Sequence, residues 1–112
     1  MKLAIIQLIS TPDIDQNISQ IEQQIIRLRA DNTTAEMLVV LPECCLMFGL
    51  NEADIKPFAE PKGHGKMQQA LSELAQKYRI YLVAGTIPLL ADDGRNLAAS
   101  LLIDPKGVGV AQ

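Results

Sequence analysis

A short apolar run that ends in a proline and an acid constrains this chain most. Residues 37–43 read Met-Leu-Val-Val-Leu-Pro-Glu, and polar residues lie on both sides of the apolar part. A run of this length predicts a strand that is buried on both faces. Pro42 cannot continue a central strand, so the chain must turn there and present Glu43. Ligands bind at the carboxyl end of such strands in open α/β sheets, which predicts that Glu43 lies at a functional edge.

The composition is typical of one compact domain. The 112 residues are 48% hydrophobic and 21% charged, with a net charge of −3. No cluster of Lys and Arg indicates nucleic-acid binding, and no apolar stretch approaches the roughly 20 residues of a membrane span. Gln7 interrupts the apolar start and no cleavage site follows, so we expect no signal peptide. Adjacent Cys44 and Cys45 rarely form a stable disulfide, which favours a reducing, cytoplasmic location.

The hydrophobic pattern predicts alternating strands and helices. Strands are expected at 3–9, 37–41, 80–84 and 97–103, with a short extended piece at 108–111, and Gly85 is expected to stop the third strand. Asp13 or Asp15 is available to cap a first helix that runs to about Ala30. Two apolar stripes at helical spacing are formed by Ile18, Ile21, Ile25 and Leu28, and by Met67, Leu71, Leu74, Ala75 and Tyr78. This order indicates an α/β fold with a mixed sheet and helices against it.

Short motifs spread along the chain share their order and spacing with a known family. They are Ile6-Gln7, Asp13 with Asn17, Leu41-Pro42-Glu43, residues 63–68, residues 84–88, Asn96 and residues 102–107. Together they resemble the N-terminal part of the nitrilase superfamily of carbon-nitrogen hydrolases. Residues 7–10 and 85–88 look most similar to the amidase branch that hydrolyses deaminated glutathione.

The resemblance implies an α-β-β-α sandwich and a Glu-Lys-Cys catalytic set. In that family the Glu is a general base toward a cysteine thiol, and the thiolate attacks the amide or nitrile carbon to form a thioester that water hydrolyses. A lysine stabilises the charged tetrahedral intermediate, an effect often worth about 3 kcal/mol per group. A free thiol needs such a base near pH 7. The resemblance also implies a small linear amide as substrate and self-association into a homo-oligomer. No cofactor or metal is expected.

Of the three catalytic residues, only Glu43 matches a residue of this sequence. The family's lysine and nucleophilic cysteine would both fall after Gln112, and the family domain is more than twice as long. We therefore expect residues 1–112 to be the N-terminal part of a single hydrolase domain. Taken alone, this polypeptide is expected to be inactive.

The two cysteines next to Glu43 are weaker candidates for a nucleophile. Neighbouring strand residues point to opposite faces, so Cys44 should face away from Glu43 if the strand continues. Free cysteines are often buried structural residues. Cys44 and Cys45 are therefore expected in the core or in a pocket wall.

The glycine-rich segment before the second helix offers one alternative site. Residues 63–66 read Gly-His-Gly-Lys and open a helix, where an anion can bind. The segment lacks the length and the Ser/Thr of a P-loop, so phosphate binding is the less favoured interpretation. His64 is expected to be a solvent-facing loop residue, since no second His or acid stands at metal-ligand spacing.

Five other polar residues lie near the predicted functional edge. Lys66 and Lys106 are close to it in sequence but do not match the family's lysine pattern. Asn96 is expected to cap a turn or to bond the backbone locally. Glu52 and Glu60 are expected to be solvated surface residues, with a place in the pocket of the complete enzyme as the alternative.

Two functions from other classes remain open. One is a short protein that binds a partner, such as a longer homologue, through an unsatisfied sheet. The other is a small α/β ligand-binding domain without hydrolase ancestry. The hydrolase interpretation ranks first because the motifs that support it span the whole chain.

Overall fold

The computed structural model describes all 112 residues as one mixed sheet with helices on one face. The elements are β1 (Lys2–Ile5), α1 (Ile14–Asp31), β2 (Met37–Val40), α2 (Glu52–Ile55), a 3-10 turn (Lys56–Phe58), β3 (Glu60–Pro61), α3 (Lys66–Tyr78), β4 (Tyr81–Leu90), β5 (Asn96–Ile103) and β6 (Gly109–Ala111). The strand order is β1-β2-β4-β5-β6, and β3 pairs with the far end of β4. The predicted α/β class, mixed sheet and single helical face are therefore confirmed.

The first three strands of the sheet are parallel. β1 pairs with β2, and β2 pairs with β4, in parallel register. β5 and β6 then add in antiparallel register through tight turns. Parallel strands bring their carboxyl ends to one edge, so the loops after β1, β2 and the first half of β4 converge there.

β1 is shorter than the predicted strand at 3–9. Ile5 pairs with Val40, the last residue of β2, and Ile6 donates one more backbone hydrogen bond to the Val40 carbonyl (3.0 Å). Beyond that point β1 has no partner to pair with, so the chain leaves the sheet. Residues 7–12 instead form a loop at the carboxyl edge.

α1 begins as the sequence predicts. The Asp13 carboxylate accepts a hydrogen bond from the Gln16 backbone N–H (3.1 Å), which satisfies one of the free donors of the first turn. Ile21 and Ile25 are fully buried on the predicted apolar face. The Arg29 guanidinium donates to the Tyr78 and Arg79 carbonyls (2.8 and 2.7 Å), so it ties the end of α1 to the end of α3.

The prediction that Gly85 stops the third strand is wrong. β4 continues to Leu90 because β5 pairs with it on both sides of Gly85. Ala84 pairs with Leu101 and Ile87 pairs with Ala99, which leaves two β4 residues opposite one β5 residue. This is a β-bulge, a common place for glycine in a strand.

Burial on both faces of β2 is also wrong. Met37 and Val39 pack under the helices, whereas Leu38 and Val40 on the other face are only half-buried. On the same open face of β1, Leu3 is 66% exposed and Ile5 is 72% exposed. The hydrophobic run on β2 therefore belongs to a sheet whose second face is apolar and uncovered in this chain.

The core lies between the helices and the sheet. Twenty buried apolar residues form one cluster, which includes Cys45 and the buried stripe of α3. None of the helices combines the length and the apolar character needed to cross a membrane.

Candidate active site

Glu43 lies in the turn that directly follows β2, at the carboxyl edge of the parallel strands. β2 ends at Val40, and the Leu41 N–H still donates to the Val83 carbonyl of β4 (2.9 Å). The chain then turns at residues 43–44, and the Glu43 side chain is exposed. None of the three salt bridges of the chain includes Glu43. The structure thus places this acid at the edge predicted from its sequence context.

Gly85 allows the turn to approach β4. A Cβ atom built on Gly85 would meet the Pro42 carbonyl group and the Leu41 carbonyl oxygen well inside 3.0 Å, a separation that real Cβ atoms essentially never show. All of these obstructing atoms belong to the backbone. Only glycine therefore fits beside the segment that leads into Glu43.

Thr86 holds the residues immediately after Glu43. Its Oγ1 accepts a hydrogen bond from the Cys44 N–H (2.8 Å), and its carbonyl accepts one from the Cys45 N–H (3.3 Å). Cys44 has a φ of 50°, a left-handed conformation that is costly for a residue with a side chain. The two hydrogen bonds to Thr86 stabilise that conformation, and both acceptor atoms lie in the bulge of β4.

Asn17 forms hydrogen bonds with the chain just after the same turn and with the loop after β1. Its side chain is fully buried and its Nδ2 donates to the Thr11 carbonyl (2.7 Å) and to the Leu46 carbonyl (2.9 Å). Its Oδ1 accepts from the Thr11 N–H (2.9 Å). Asn17 therefore joins the loop after β1 to the loop after β2, and α1 carries the residue that makes the connection.

Comparison with known proteins identifies the fold that builds this edge. Residues 2–112 match the family described as carbon-nitrogen hydrolase. The chain belongs to the carbon-nitrogen hydrolase family. The resemblance drawn from the sequence motifs is thereby confirmed.

This carbon-nitrogen hydrolase chain is similar to three proteins that are known by sequence or by structure. A deaminated glutathione amidase from Yersinia enterocolitica is 34% identical over 107 residues, which are 94% of this chain and 36% of the relative. Nit3 of Saccharomyces cerevisiae, a member of branch 10 of the nitrilase superfamily, superposes with a TM-score of 0.78 at 29% identity. That superposition covers 91% of this chain and 38% of Nit3. The NitFhit protein of C. elegans superposes with a TM-score of 0.73 at 26% identity, over 97% of this chain and 26% of NitFhit.

The chain thus has a nitrilase-superfamily fold and spans about a third of the length of the curated relative it matches.

The two cysteines of this hydrolase-family chain differ in environment. Cys45 is completely buried in the core, and that burial raises the pKa of its thiol to about 12. Cys44 is half-buried, with its Sγ 4.0 Å from the Thr86 hydroxyl. The expectation that strand geometry turns Cys44 away from Glu43 does not apply, because the strand has already ended at Val40. The core position expected for the cysteines is confirmed for Cys45.

Glu60 is a buried helix cap, so its predicted place on the solvated surface is wrong. It is 8% exposed, and its carboxylate accepts hydrogen bonds from the Met67 N–H (2.6 Å) and the Gln68 N–H (3.1 Å). A Cβ on Gly65 would collide with the Glu60 side chain, and Gly65 has a φ of 137°. Glycine at this position therefore admits the carboxylate to the start of α3.

The anion cradle considered for residues 63–66 is occupied from within the protein. The Glu60 carboxylate already uses the first-turn N–H groups that would hold a phosphate. His64 is exposed in the loop, as expected. No three His, Cys, Asp or Glu side chains lie close enough together to hold a metal ion.

The remaining candidates lie outside the Glu43 turn. Lys66 forms an exposed ion pair with Asp15 (2.7 Å), and Lys106 and Glu52 are exposed. Asn96 opens β5, and its buried Oδ1 has no hydrogen-bond partner, so the predicted local backbone bond is not made by that atom. A cavity of about 710 Å³ lies between the start of α3 and the β5–β6 hairpin and does not include Glu43.

Thr86 and Asn17 were not predicted as parts of the site. The sequence signal for Asn17 is its place in the motif formed by Asp13 and Asn17, although its hydrogen bonds to two loops depend on the fold. Thr86 follows a glycine in a strand, which is the pattern of a bulge, and bulges often lie beside active sites.

Proposed function

We propose that this chain is the N-terminal part of an amidase-type carbon-nitrogen hydrolase in which Glu43 is the general base. The proposal is supported above all by the position of the exposed Glu43 carboxylate. It lies at the carboxyl edge of parallel strands, on a turn that is held by hydrogen bonds to Thr86 and Asn17. The sequence similarity to a deaminated glutathione amidase supports an amide as the substrate class.

The proposed reaction uses a thiol and a cation from the rest of the domain. Glu43 takes the proton of the cysteine thiol, and the thiolate attacks the carbonyl carbon of a small linear amide. The lysine stabilises the oxyanion, the amine leaves with a proton returned by the Glu43 carboxyl, and a thioester remains. Glu43 then accepts a proton from the water that attacks the thioester, the C–S bond breaks to release a carboxylic acid, and Glu43 returns the proton to the departing thiolate.

The exposure of Glu43 suits a base that must be reached by groups outside this chain. The open apolar face of the sheet suits the second sheet of an α-β-β-α sandwich, because Leu3 and Ile5 would be covered by it. Residues 1–112 alone are accordingly proposed to be inactive. The substrate, a homo-oligomeric state and a cytoplasmic location, which the free cysteines favour, belong to the same proposal.

The decisive experiment compares Glu43→Gln with Glu36→Gln in the full-length gene product. Glu36 is also exposed, but it precedes β2 and so lies at the opposite edge of the sheet. Loss of the base should lower kcat on a small linear amide by roughly a hundredfold to ten-thousandfold, with the fold unchanged. Glu36→Gln should behave as wild type. Retention of a tenth or more of the wild-type kcat by Glu43→Gln would rule out the assigned role.

The intact mass of the natively expressed product tests the proposed domain. A mass more than twice the 12.2 kDa of this chain agrees with a longer hydrolase that carries the lysine and the cysteine. A product of 12.2 kDa would refute the assignment to a larger catalytic domain.

One observation favours a second candidate function, a non-catalytic partner that binds through its sheet. Leu3 at 66% and Ile5 at 72% exposure leave apolar area that favours association. Residues 1–112 expressed alone should form oligomers or precipitate, as judged by light scattering. Binding to a longer homologue without any amidase activity in the complex would favour this alternative. A stable, monodisperse monomer would contradict the assigned role of the open face in both candidates.

A further inference from the structure

We infer that Thr86 is a positioning residue for Glu43, acting through the peptide group that follows it. This inference rests on the proposed function of Glu43. The Thr86 Oγ1 accepts a hydrogen bond from the Cys44 N–H (2.8 Å), which belongs to the peptide bond between Glu43 and Cys44. The Glu43 Cα lies in that peptide plane, so holding the plane constrains the backbone position from which the Glu43 side chain leaves the turn.

Thr86 accepts hydrogen bonds from two consecutive backbone N–H groups. Besides the Cys44 N–H, the Thr86 carbonyl accepts from the Cys45 N–H (3.3 Å). Cys44 between them is left-handed, a conformation that persists only where the surroundings determine it. The side-chain hydroxyl of Thr86 is therefore part of what holds the turn in a conformation it would not adopt alone.

The bulge in β4 is what brings Thr86 to this turn. Gly85 and Thr86 together oppose Ser100 of β5, so the local pairing of β4 is interrupted at these two residues. A bulge re-aims the side chain and the carbonyl of its residues. On β5, opposite the bulge, the Ser100 hydroxyl donates to the Ala84 carbonyl (3.0 Å) and forms no hydrogen bond with the Glu43 turn.

This arrangement offers a matched pair of variants in the full-length gene product. Thr86→Val removes the acceptor and keeps the shape, whereas Ser100→Ala removes a hydrogen bond of similar length from the same bulge. Thr86→Val should lower kcat by roughly tenfold to a hundredfold with KM nearly unchanged, because a small displacement of a catalytic group has an effect of that size. Thr86→Ser keeps the hydroxyl and should restore kcat, and Ser100→Ala should leave it unchanged.

A second measurement is independent of activity. Amide hydrogen exchange at Cys44 should become faster in Thr86→Val and stay unchanged in Ser100→Ala, since only the first removes the acceptor of that N–H. If valine at this position prevents folding, Thr86→Ala, which adds no bulk, takes its place. Wild-type kcat in a folded Thr86→Val or Thr86→Ala variant, or unchanged exchange at Cys44, would overturn the inference.

Glu43→Gln measured in parallel separates the two possible failures. If Glu43→Gln is inactive while the Thr86 variants keep their kcat, only the positioning inference fails. If Glu43→Gln keeps its activity, the proposed function itself fails. Equal losses of kcat in Thr86→Val and Ser100→Ala would show that the bulge acts by stability alone, which also overturns the inference.

Discussion

Replacement of Gly85 by alanine tests the close contact on which the Glu43 turn depends. The added Cβ would meet the carbonyl groups of Leu41 and Pro42, which are backbone atoms that cannot rotate away. Gly85 has no left-handed φ, so the penalty is steric and not conformational. Relief requires that the start of the turn moves away from β4.

The size of the effect follows from two opposing terms. Alanine in a strand interior is ordinarily more stable than glycine by about 0.5 to 1 kcal/mol. Overpacking a tight site costs about 1 to 3 kcal/mol, and the upper end applies where backbone must move. Gly85→Ala should therefore lower the free energy of unfolding by roughly 2 kcal/mol, and the displaced turn should lower kcat as well.

The assay is urea unfolding of the full-length gene product, with Gly109→Ala as the control. Gly109 lies in β6 with nothing within 4 Å of a built Cβ, so alanine there should leave the free energy of unfolding unchanged or raise it by up to about 1 kcal/mol. If Gly85→Ala is as stable as Gly109→Ala, the contact between the turn and β4 does not constrain position 85 and the reasoning is refuted.

Three further predictions concern the ionisable groups and caps. In native protein at pH 8, Cys45 should be alkylated more slowly than Cys44. A pKa of about 12 leaves roughly one Cys45 thiol in ten thousand as the reactive thiolate at that pH. Equal alkylation rates of the two cysteines, measured by peptide mapping, would contradict this. Glu60→Gln should lower the free energy of unfolding by about 1 to 2 kcal/mol, measured in urea, because α3 loses a charged cap. A hydrogen bond from Lys77 lowers the pKa of Glu22 from its ordinary value. This contact therefore stabilises the fold above the pKa of the unfolded state, and the gain is lost as the pH falls through the lower pKa of the folded state. Glu22→Gln should therefore reduce the acid sensitivity of unfolding; an unchanged pH profile would argue against the pair.

The helices were predictable because their signals are local. Asp13, one of the two acids expected as the cap, caps α1, and Ile21 and Ile25 of the predicted stripe are buried. The predicted strand ends were less accurate at 3–9 and at Gly85. A strand ends where its partner ends, and the partner lies far away in sequence.

The place of Glu43 at the carboxyl edge was determined by the sequence itself. Pro42 cannot donate a hydrogen bond within a central strand, so the apolar strand must end before Glu43. What the tertiary structure alone decided is how that turn is held. Thr86 binds the Cys44 N–H across 42 residues, and Asn17 binds the Leu46 carbonyl across 29. The open face of β1 and β2 is another such property, since an apolar run has the same composition whether one face or both are covered. Contacts of this range depend on strand order and register, which no local window of residues contains.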